Sequence, residues 1–412
     1  MIEPLFSHMR RAGVSLGLAA LLSSGAMANE QSSEDAGSTT ALIPLEFEIL
    51  TDADVELPRF KVDAAWPDMP AEMIIGQVPG LAVDKNDVVW LAHRPQSLSF
   101  SDIGLASDPP QAFCCKPGPT IMKFAQDGEY LGGWGGPETG PMAEGTNQWP
   151  RNVHGLYIDD DMSVWVGGNG DGDHVVLNFT EDGEFIRQIG THGETDGNAS
   201  ETTLGNPADI WRGLGDVVIA DGYINKRIVS FDDDALGFQG AWGAYATDPS
   251  GGTREGSFDQ SQANSDADGG ANPKARSFGD IVHCVVGTDD GHVYICDRRN
   301  NRAQLFKRTA AGEMEFVKDI VIAPETGGTR TVSDIAFSPD GKFIYMADMM
   351  NSNIWILDRE SHEPLARIGR VGRYPGQFTW LHSVVVDSDG NIYTSEVGTG
   401  RRVQKLVFLG NS

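Results

Sequence analysis

Short apolar segments and polar turns alternate along most of the chain, and the same order of segments recurs six times. Each repeat has an apolar strand, a turn rich in Asp, Asn or Gly, a second strand, and a third strand that ends in Phe or Leu. The repeats begin with the segments 81–94, 154–169, 208–223, 283–298, 333–348 and 382–397. Glycines in turns such as 289–291 supply the positive φ that tight hairpins require. The pattern therefore predicts a series of antiparallel hairpins.

Four antiparallel strands in each of six repeats predict an all-β fold, a six-bladed β-propeller. The strand pattern resembles that of NHL repeats, which are short units that form propeller blades. The sixth repeat ends near Leu409 without room for its fourth strand, so we expect 59–65 to supply that strand and close the ring. An open array of sheets is the alternative, and it would leave edge strands exposed.

The first 28 residues have the features of a secretory signal peptide. Arg10 and Arg11 precede a short apolar run at 12–22, and small residues surround the predicted cleavage site after Ala28. The apolar run is too short to read as a membrane span. We therefore expect an exported protein that is periplasmic or secreted.

Beyond 1–28, the sequence predicts a polar leader and one folded domain. Residues 29–41 lack large apolar side chains and are expected to be disordered, and the propeller is expected to occupy 42–412. Two insertions interrupt the repeats, at 95–119 and at 244–279. The second insertion is rich in Gly, Ser, Asp and Asn, which predicts a mobile loop.

Composition and net charge argue against two classes of binding partner. Apolar residues make up 40% of the 412 residues and nine residues are Trp, so a packed core is expected. The 31 basic and 59 acidic residues give a net charge of −28. Nucleic acids and anionic membranes require basic patches, so neither is an expected partner. The sequence identifies no protein partner.

Four cysteines in a chain of this length are too few for a disulfide-built scaffold, although export permits disulfides. Cys284 and Cys296 lie symmetrically about the turn at Asp290, so they are candidates for a cross-strand bond. The adjacent Cys114 and Cys115 are candidates for a vicinal bridge or for bonds elsewhere. Buried free thiols are the alternative for all four.

Histidine opens the first strand of the second, fourth and sixth repeats, as His154, His283 and His382. First strands line the central channel of a propeller, so alternate blades place three side chains about 120° apart at one depth. Three neutral imidazoles with an open fourth position describe a catalytic zinc site. Zinc is the expected metal, and iron, copper and cobalt are alternatives. A lone channel His usually bonds water or a carbonyl, which accounts less well for three equivalent positions.

Three further side chains are expected at the same mouth of the channel. Arg94, Tyr223 and Arg298 end second strands, and an antiparallel hairpin places the end of one strand beside the start of its neighbour. Arg binds carboxylates in a fork geometry, and Tyr can act as a general base. These residues predict a small-molecule or peptide substrate that carries a carboxylate. The alternative is that each residue lies on a blade surface and pairs with one of the many acids.

From about Gly76 to Leu406 the chain resembles the catalytic core of peptidylglycine α-amidating lyase, also called peptidyl-α-hydroxyglycine α-amidating lyase. The segments that carry the resemblance are AHR at 92–94, HGL at 154–156, DGYINKRIVSF at 221–231, CDRRNNRAQLF at 296–306 and LHS at 381–383. The resemblance implies a six-bladed propeller with zinc held by His154, His283 and His382. It also implies that Tyr223 is the base and that Arg94 and Arg298 are active-site arginines.

The family also has a structural calcium in the channel, which the resemblance assigns to the backbone carbonyls of Leu81 and Leu156. The sequence departs from the family close to this position, because Ser383 stands where the family has an Asp after the last zinc ligand. Trp380 replaces a Met of the family, and Ile224 replaces a Cys. These departures affect the calcium position and the substrate pocket.

The reaction implied by the resemblance is a lyase reaction on a carbinolamide. Its carbon–nitrogen bond is cleaved to give an amide and glyoxylate or a similar aldehyde, without a redox change at the metal. Two other classes of function stay open. One is a non-catalytic NHL propeller that binds a protein or ligand, with the metal as a structural pin. The other is a calcium-dependent propeller lactonase, a class that relies on Glu, Asp and Asn ligands in the channel.

Overall fold

A computed structural model describes residues 42–250, 273–326 and 330–412. Within these ranges the chain forms six antiparallel sheets arranged as a six-bladed β-propeller, as the repeat pattern predicts. The predicted signal peptide and leader lie outside the described residues, as does 251–272 of the predicted mobile insertion. No helix in the described part of the chain is long and apolar enough to cross a membrane.

Each blade is a sheet of four strands, and the first strands line the central channel. Blades one to three consist of Gln77–Val83, Val89–Arg94, Ile121–Phe124 and Tyr130–Trp134; Val153–Ile158, Val164–Gly168, Val175–Phe179 and Phe185–Gly190; and Asp209–Gly213, Asp216–Asp221, Arg227–Asp232 and Phe238–Trp242. Blades four to six consist of Val282–Gly287, His292–Asp297, Arg302–Arg308 and Met314–Ile320; Asp334–Phe337, Phe343–Asp348, Asn353–Asp358 and Pro364–Ile368; and Leu381–Val386, Ile392–Glu396, Val403–Asn411 and Pro58–Asp63.

Short elements occupy the connections between these strands. Two pairs of two-residue strands are formed by Met73–Ile74 with Lys116–Pro117 and by Met142–Ala143 with Thr146–Asn147. Short 3₁₀ turns span Pro95–Ser97, Gly104–Ala106, Pro137–Thr139, Ala244–Ala246 and Arg298–Asn300. The insertion at 95–119 therefore contains two 3₁₀ turns and one short strand.

Both ends of the described chain meet in blade six. Pro58–Asp63 pairs with Val403–Asn411, which confirms that an early segment supplies the missing fourth strand. Two strands that we did not predict precede it. Leu42–Pro44 adds a fifth strand to blade six, and Phe47–Ile49 adds one to blade five through Pro364–Ile368. We call 42–49 the strap, because it joins two neighbouring blades along their outer edges.

The core lies between neighbouring blades. Strand residues alternate between the two faces of each sheet, so one face packs on the preceding blade and the other on the next. Trp90, Trp165 and Trp242 are fully buried there, with rows of Val, Ile and Leu around them. Full burial of one such aliphatic side chain stabilises the fold by about 1.5–3 kcal/mol. The packing holds the first strands in fixed positions around the channel.

All four cysteines form disulfide bonds, so the alternative of buried free thiols is wrong. Cys284 and Cys296 face each other across the hairpin of blade four, with their Cα atoms 4.8 Å apart. The strand register pairs Val285 with Ile295, the residues next to the two cysteines on the side of the turn. This pairing agrees with the predicted symmetry about Asp290. Cys114 and Cys115 are bonded to each other.

Candidate metal centre

The first strands of blades two, four and six bring three imidazole rings to one point in the channel. His154, His283 and His382 are each the second residue of their strand, so they lie at one depth. Their ring centroids are 4.7–4.9 Å apart, and one nitrogen of each ring lies within 4.8 Å of the others. The strand register shifts beside each His, and such bulges redirect a side chain.

Hydrogen bonds at Nδ1 orient the three rings. Nδ1 of His154 is 2.7 Å from the oxygen of Ala208, and Nδ1 of His283 is 2.6 Å from the oxygen of Ser333. Nδ1 of His382 is 3.3 Å from the hydroxyl of Ser383, which donates to the carbonyl of Pro79. Because a carbonyl only accepts, Nδ1 of the first two rings carries the hydrogen and Nε2 keeps its lone pair. Carbonyls of blades three and five thus orient His154 and His283 directly, and the hydroxyl of Ser383 links His382 to a carbonyl of blade one.

Glycine permits this close approach of neighbouring strands. A Cβ atom at Gly155 would lie 2.8 Å from the oxygen of Ala208, which is the acceptor that holds His154. A Cβ atom at Gly222, next to Tyr223, would overlap the backbone of blade four. Both positions therefore require Gly for a steric reason, because another backbone lies where a side chain would begin.

Burial keeps the three rings neutral. It lowers the pKa of His154, His283 and His382 well below the ordinary value, and nearby guanidinium groups lower it further. Each of the three residues is at most 3% exposed. A neutral imidazole is the form that binds a metal ion, so the cluster needs no deprotonation before a metal is bound at neutral pH.

The donor set fits zinc. Zinc–nitrogen bonds of about 2.0–2.1 Å at tetrahedral angles place two ligand nitrogens about 3.3 Å apart. Nε2 of His283 and Nε2 of His382 are 3.2 Å apart. Within the described residues, no carboxylate or thiolate joins the group. Three imidazoles without a fourth protein ligand have the composition of a catalytic rather than a structural zinc site.

Tyr223 lies directly against this cluster. It follows the second strand of blade three, and its backbone N–H donates to the carbonyl of Asn206. Its hydroxyl oxygen is 2.8 Å from Nε2 of His154, and the two ring centroids are 4.9 Å apart. The hydroxyl therefore lies where a group bound at the three histidines would meet it.

Arg94 approaches the cluster from blade one. Its Nε donates to the carbonyl of Val153 over 2.9 Å, and its terminal nitrogens donate to the side chains of Gln77 and Asn169. All three acceptors are neutral, and in the described ranges the guanidinium forms no ion pair with an acid. Its positive charge contributes to the lowered pKa of His154.

Arg298 approaches from blade four and is 6% exposed. Its guanidinium carbon lies 5.8 Å from the centroid of the Tyr223 ring, and a terminal nitrogen lies 3.8 Å from the sulfur of Met349. Its Nε has no hydrogen-bond partner among the described residues. No acid of the described chain forms an ion pair with it, so the alternative of surface ion pairs does not describe Arg94 or Arg298. A buried guanidinium of this kind can bind an anion through charge-assisted hydrogen bonds.

The expected calcium position lacks the carboxylate that the family has after its last zinc ligand. Leu81 and Leu156 line a channel cavity of about 290 Å³. The Ser383 hydroxyl donates to the carbonyl of Pro79 over 2.8 Å, so this position offers no carboxylate. Calcium prefers sites that contain carboxylate oxygens. Two carboxylates line the same cavity from other blades, three and five.

Asp209 and Asp334 are those two carboxylates, and the sequence analysis missed them. Each opens the first strand of an odd-numbered blade, close to the position that His takes in the even blades, so the same blade alignment contained the signal. Asp209 accepts the N–H of Val285, and Asp334 accepts the N–H of Val384. Burial raises the pKa of Asp334 to about 7, and burial with the charge of Asp334 raises the pKa of Asp209.

Arg330 is another residue that the sequence analysis missed. It precedes the first strand of blade five, and its guanidinium carbon lies 5.3 Å from the centroid of the Trp380 ring. Its charge also acts on Arg298 and lowers the pKa of that guanidinium, after the larger effect of burial. No repeat pattern covers the segment before this strand, so spacing carried no signal for it.

Comparison with known proteins supports a propeller of a particular repeat type. A family model described as lactonase, 7-bladed beta-propeller, matches residues 227–391, which is less than half of the chain. NHL repeat-containing protein 3 from Homo sapiens is 24% identical over 368 residues, covering 85% of each chain. The Mus musculus protein of the same name is 24% identical over 364 residues, covering 86% of this chain and 85% of its own.

The fold of this chain is also similar to that of a solved structure. XC5397 from Xanthomonas campestris, described as a gluconolactonase, has a TM-score of 0.51 and 10% identity, and the match covers 90% of this chain and 98% of that one. At that identity the likeness shows the fold alone. The described residues form six blades, whereas the matching family model is named for seven. Together the comparisons support an NHL-type propeller and do not single out the amidating lyases.

Proposed function

We propose that this protein is an exported zinc-dependent lyase that cleaves the carbon–nitrogen bond of a carbinolamide. The substrate class is an N-acyl-α-hydroxyglycine or a close analogue, and the products are an amide and glyoxylate or a similar aldehyde. One observation carries the proposal. Three neutral imidazoles, a Tyr hydroxyl and two guanidiniums without acid partners in the described chain converge on one mouth of the channel.

Each group has a defined role in this proposal. His154, His283 and His382 hold zinc, which when bound acts as a Lewis acid that makes a hydroxyl group easier to deprotonate. Arg94 and Arg298 hold the carboxylate of the substrate through charge-assisted hydrogen bonds. They also fix the orientation of the scissile bond, because the carboxylate is attached to the α-carbon, whose bond to nitrogen is cleaved.

Tyr223 is the general base. It removes the proton of the substrate hydroxyl, a carbon–oxygen double bond forms, and the carbon–nitrogen bond breaks with its electron pair on nitrogen. The proton then passes from Tyr223 to the leaving amide nitrogen, so the side chain returns to its starting state. The guanidinium of Arg298 lies 5.8 Å from the centroid of the Tyr223 ring, so it is close to the group that takes up the proton.

Two less specific functions are favoured by the comparisons. The similarity to NHL repeat-containing protein 3 over most of both chains favours a propeller that binds a protein or ligand. The lactonase family model, which matches 227–391, favours hydrolysis of a lactone. The His cluster argues against a calcium lactonase, since imidazoles suit zinc better than calcium.

The test combines metal analysis with turnover. Elemental analysis of purified protein should find about one zinc per chain, and His283→Ala should lose it. The zinc-loaded protein should release glyoxylate from α-hydroxyhippurate. Tyr223→Phe should keep the zinc and the fold but lower kcat by about 10²–10⁴-fold, as loss of a general base does.

Tyr130→Phe is the matched control, because Tyr130 lies on the outer strand of blade one, away from the channel. This variant loses the same hydroxyl group and should keep the wild-type rate. Zinc binding without turnover of any carbinolamide would favour the binding propeller. Lactone hydrolysis that survives complete zinc removal would favour the lactonase.

A further inference from the structure

The proposed chemistry determines the direction in which the acyl group of the bound substrate points. The reacting carbon of an N-acyl-α-hydroxyglycine carries a hydroxyl, a carboxylate and an acylated nitrogen. In the proposed complex the hydroxyl lies at the histidines and the carboxylate at Arg94 and Arg298. The acyl group then extends toward the open mouth of the channel. Whatever side chains surround that mouth therefore contact the acyl group.

Three exposed apolar side chains lie at this mouth, and we call them the apolar rim. Ile224 follows Tyr223, Met350 follows Met349, whose sulfur contacts Arg298, and Trp380 lies two residues before His382. Their exposed fractions are 51%, 39% and 38%, respectively. These apolar side chains come from three different blades, so they surround the mouth from three sides.

Two neighbouring residues, Gly398 and Arg330, surround the Trp380 indole. Its backbone has φ of 58°, a conformation that is costly for a residue with a side chain and that often marks a functional site. A Cβ atom at Gly398 would lie 3.1 Å from the indole, so Gly398 leaves room for the ring. The guanidinium of Arg330 stacks on the ring as a cation–π contact.

We propose that the apolar rim of Ile224, Met350 and Trp380 is a binding site for the acyl group and that it selects aromatic or bulky apolar acyl groups. Trp380 supplies a flat surface for stacking, and Arg330 fixes the orientation of the indole. This proposal rests on the proposed function for the direction of the substrate. The substrate class is accordingly an α-hydroxyglycine whose nitrogen carries an aromatic acyl group or a peptide that ends in an apolar residue.

Binding of stable analogues tests the rim without turnover. Hippurate and N-acetylglycine keep the carboxylate and the acyl nitrogen but lack the hydroxyl, and they differ only in benzoyl against acetyl. Calorimetry on the zinc-loaded full chain should give a Kd for hippurate about tenfold or more below that for N-acetylglycine. Trp380→Ala should reduce this preference to less than about twofold, and Trp380→Phe should keep most of it.

Val317→Ala is the matched control, because Val317 is an exposed apolar residue on the outer strand of blade four. It should keep the wild-type preference. Equal binding of the two analogues, binding of neither, or a preference that Trp380→Ala leaves unchanged would overturn the rim proposal. The same comparison is then made for kcat/KM with α-hydroxyhippurate and N-acetyl-α-hydroxyglycine.

The two proposals fail in different ways. A benzoyl preference in binding that Trp380→Ala removes, with no glyoxylate from either hydroxylated compound, would support the rim and overturn the lyase. Glyoxylate release at equal kcat/KM from both compounds, with equal binding of both analogues, would support the lyase and overturn the rim.

Discussion

At the scale of single residues, Asp209 and Asp334 contribute to the pH dependence of stability. Both carboxyl groups lie in the channel, and in the described ranges neither forms an ion pair. Burial raises the pKa of Asp334 to about 7, and burial together with the charge of Asp334 raises the pKa of Asp209. The folded state therefore binds protons more tightly than the unfolded chain. The stabilisation from these protons is complete below about pH 4 and is lost as the pH rises through about 7.

Removing these charges should stabilise the protein at high pH. Asn keeps an oxygen that accepts the N–H of Val285 or Val384, so Asp209→Asn with Asp334→Asn removes charge but no acceptor. With a chelator present, the double variant should be more stable than the wild type at pH 8 by roughly 1–2 kcal/mol, and the difference should shrink by pH 4. Urea unfolding at both pH values measures it.

The exposed residue Asp54 supplies the control for this experiment. Asp54→Asn should change the free energy of unfolding by less than about 0.5 kcal/mol at either pH, as most surface substitutions do. A double variant at 209 and 334 that is less stable than the wild type at pH 8 would contradict the prediction. It would mean that the charged pair contributes to stability in a way that the channel geometry does not explain.

The positions of the His, Tyr and Arg residues at the mouth could be expected from the sequence, because strand order in a propeller fixes which ends share a face. The same position of alternate repeats is occupied by His154, His283 and His382. Strand order alone places these positions on one face, without any knowledge of side-chain contacts. The carbonyl acceptors could not be found, since every residue has a carbonyl. The contact of Arg330 with Trp380 also had no signal, because it joins two loops.

At the scale of elements, strands of four or more residues with a clear apolar pattern were predictable. The strap strands Leu42–Pro44 and Phe47–Ile49 were not, because three residues are too few to show a period. Their pairing partners are also distant in sequence, on blades six and five. Sheet pairing of this kind depends on the assembled ring rather than on local preference.

The hairpin of blade four gives a prediction about its disulfide. The bond between Cys284 and Cys296 joins residues 12 positions apart, so it limits the freedom of the unfolded chain. Replacing both residues by Ala should lower the free energy of unfolding by about 2–3 kcal/mol. Urea unfolding of the variant and the wild type, both without reductant, measures the loss.

Cys114 and Cys115 provide a matched pair for comparison. Their bond joins neighbouring residues and closes no loop of appreciable length, so the entropic effect on the unfolded chain is small. Replacing both by Ala should cost clearly less than replacing Cys284 and Cys296. Equal losses for the two pairs would show that the stabilisation does not come from loop closure.

At the scale of the whole molecule, the ring depends on the pairing of its two ends. Leu57 and Ser412 exchange both backbone hydrogen bonds, and Phe60 and Val62 of the closing strand are buried in the core of blades five and six. The strap packs Ile43, Leu45 and Phe47 against the same core, but only partly buried. The closing strand is therefore needed to complete blade six. The strap only adds packing to a ring that is already closed.

Two truncated proteins separate these contributions. A chain that starts at Leu57 loses the strap and should unfold cooperatively, with a free energy of unfolding lower by about 2–4 kcal/mol for the apolar surface of three side chains. A chain that starts at Ala64 also loses Pro58–Asp63 and leaves Val403–Asn411 as an open edge. It should aggregate or lack a cooperative transition, because an unpaired edge strand associates with other chains. Size-exclusion chromatography and thermal unfolding distinguish the two, and a monomeric, cooperatively folded chain from Ala64 would show that blade six closes without its fourth strand.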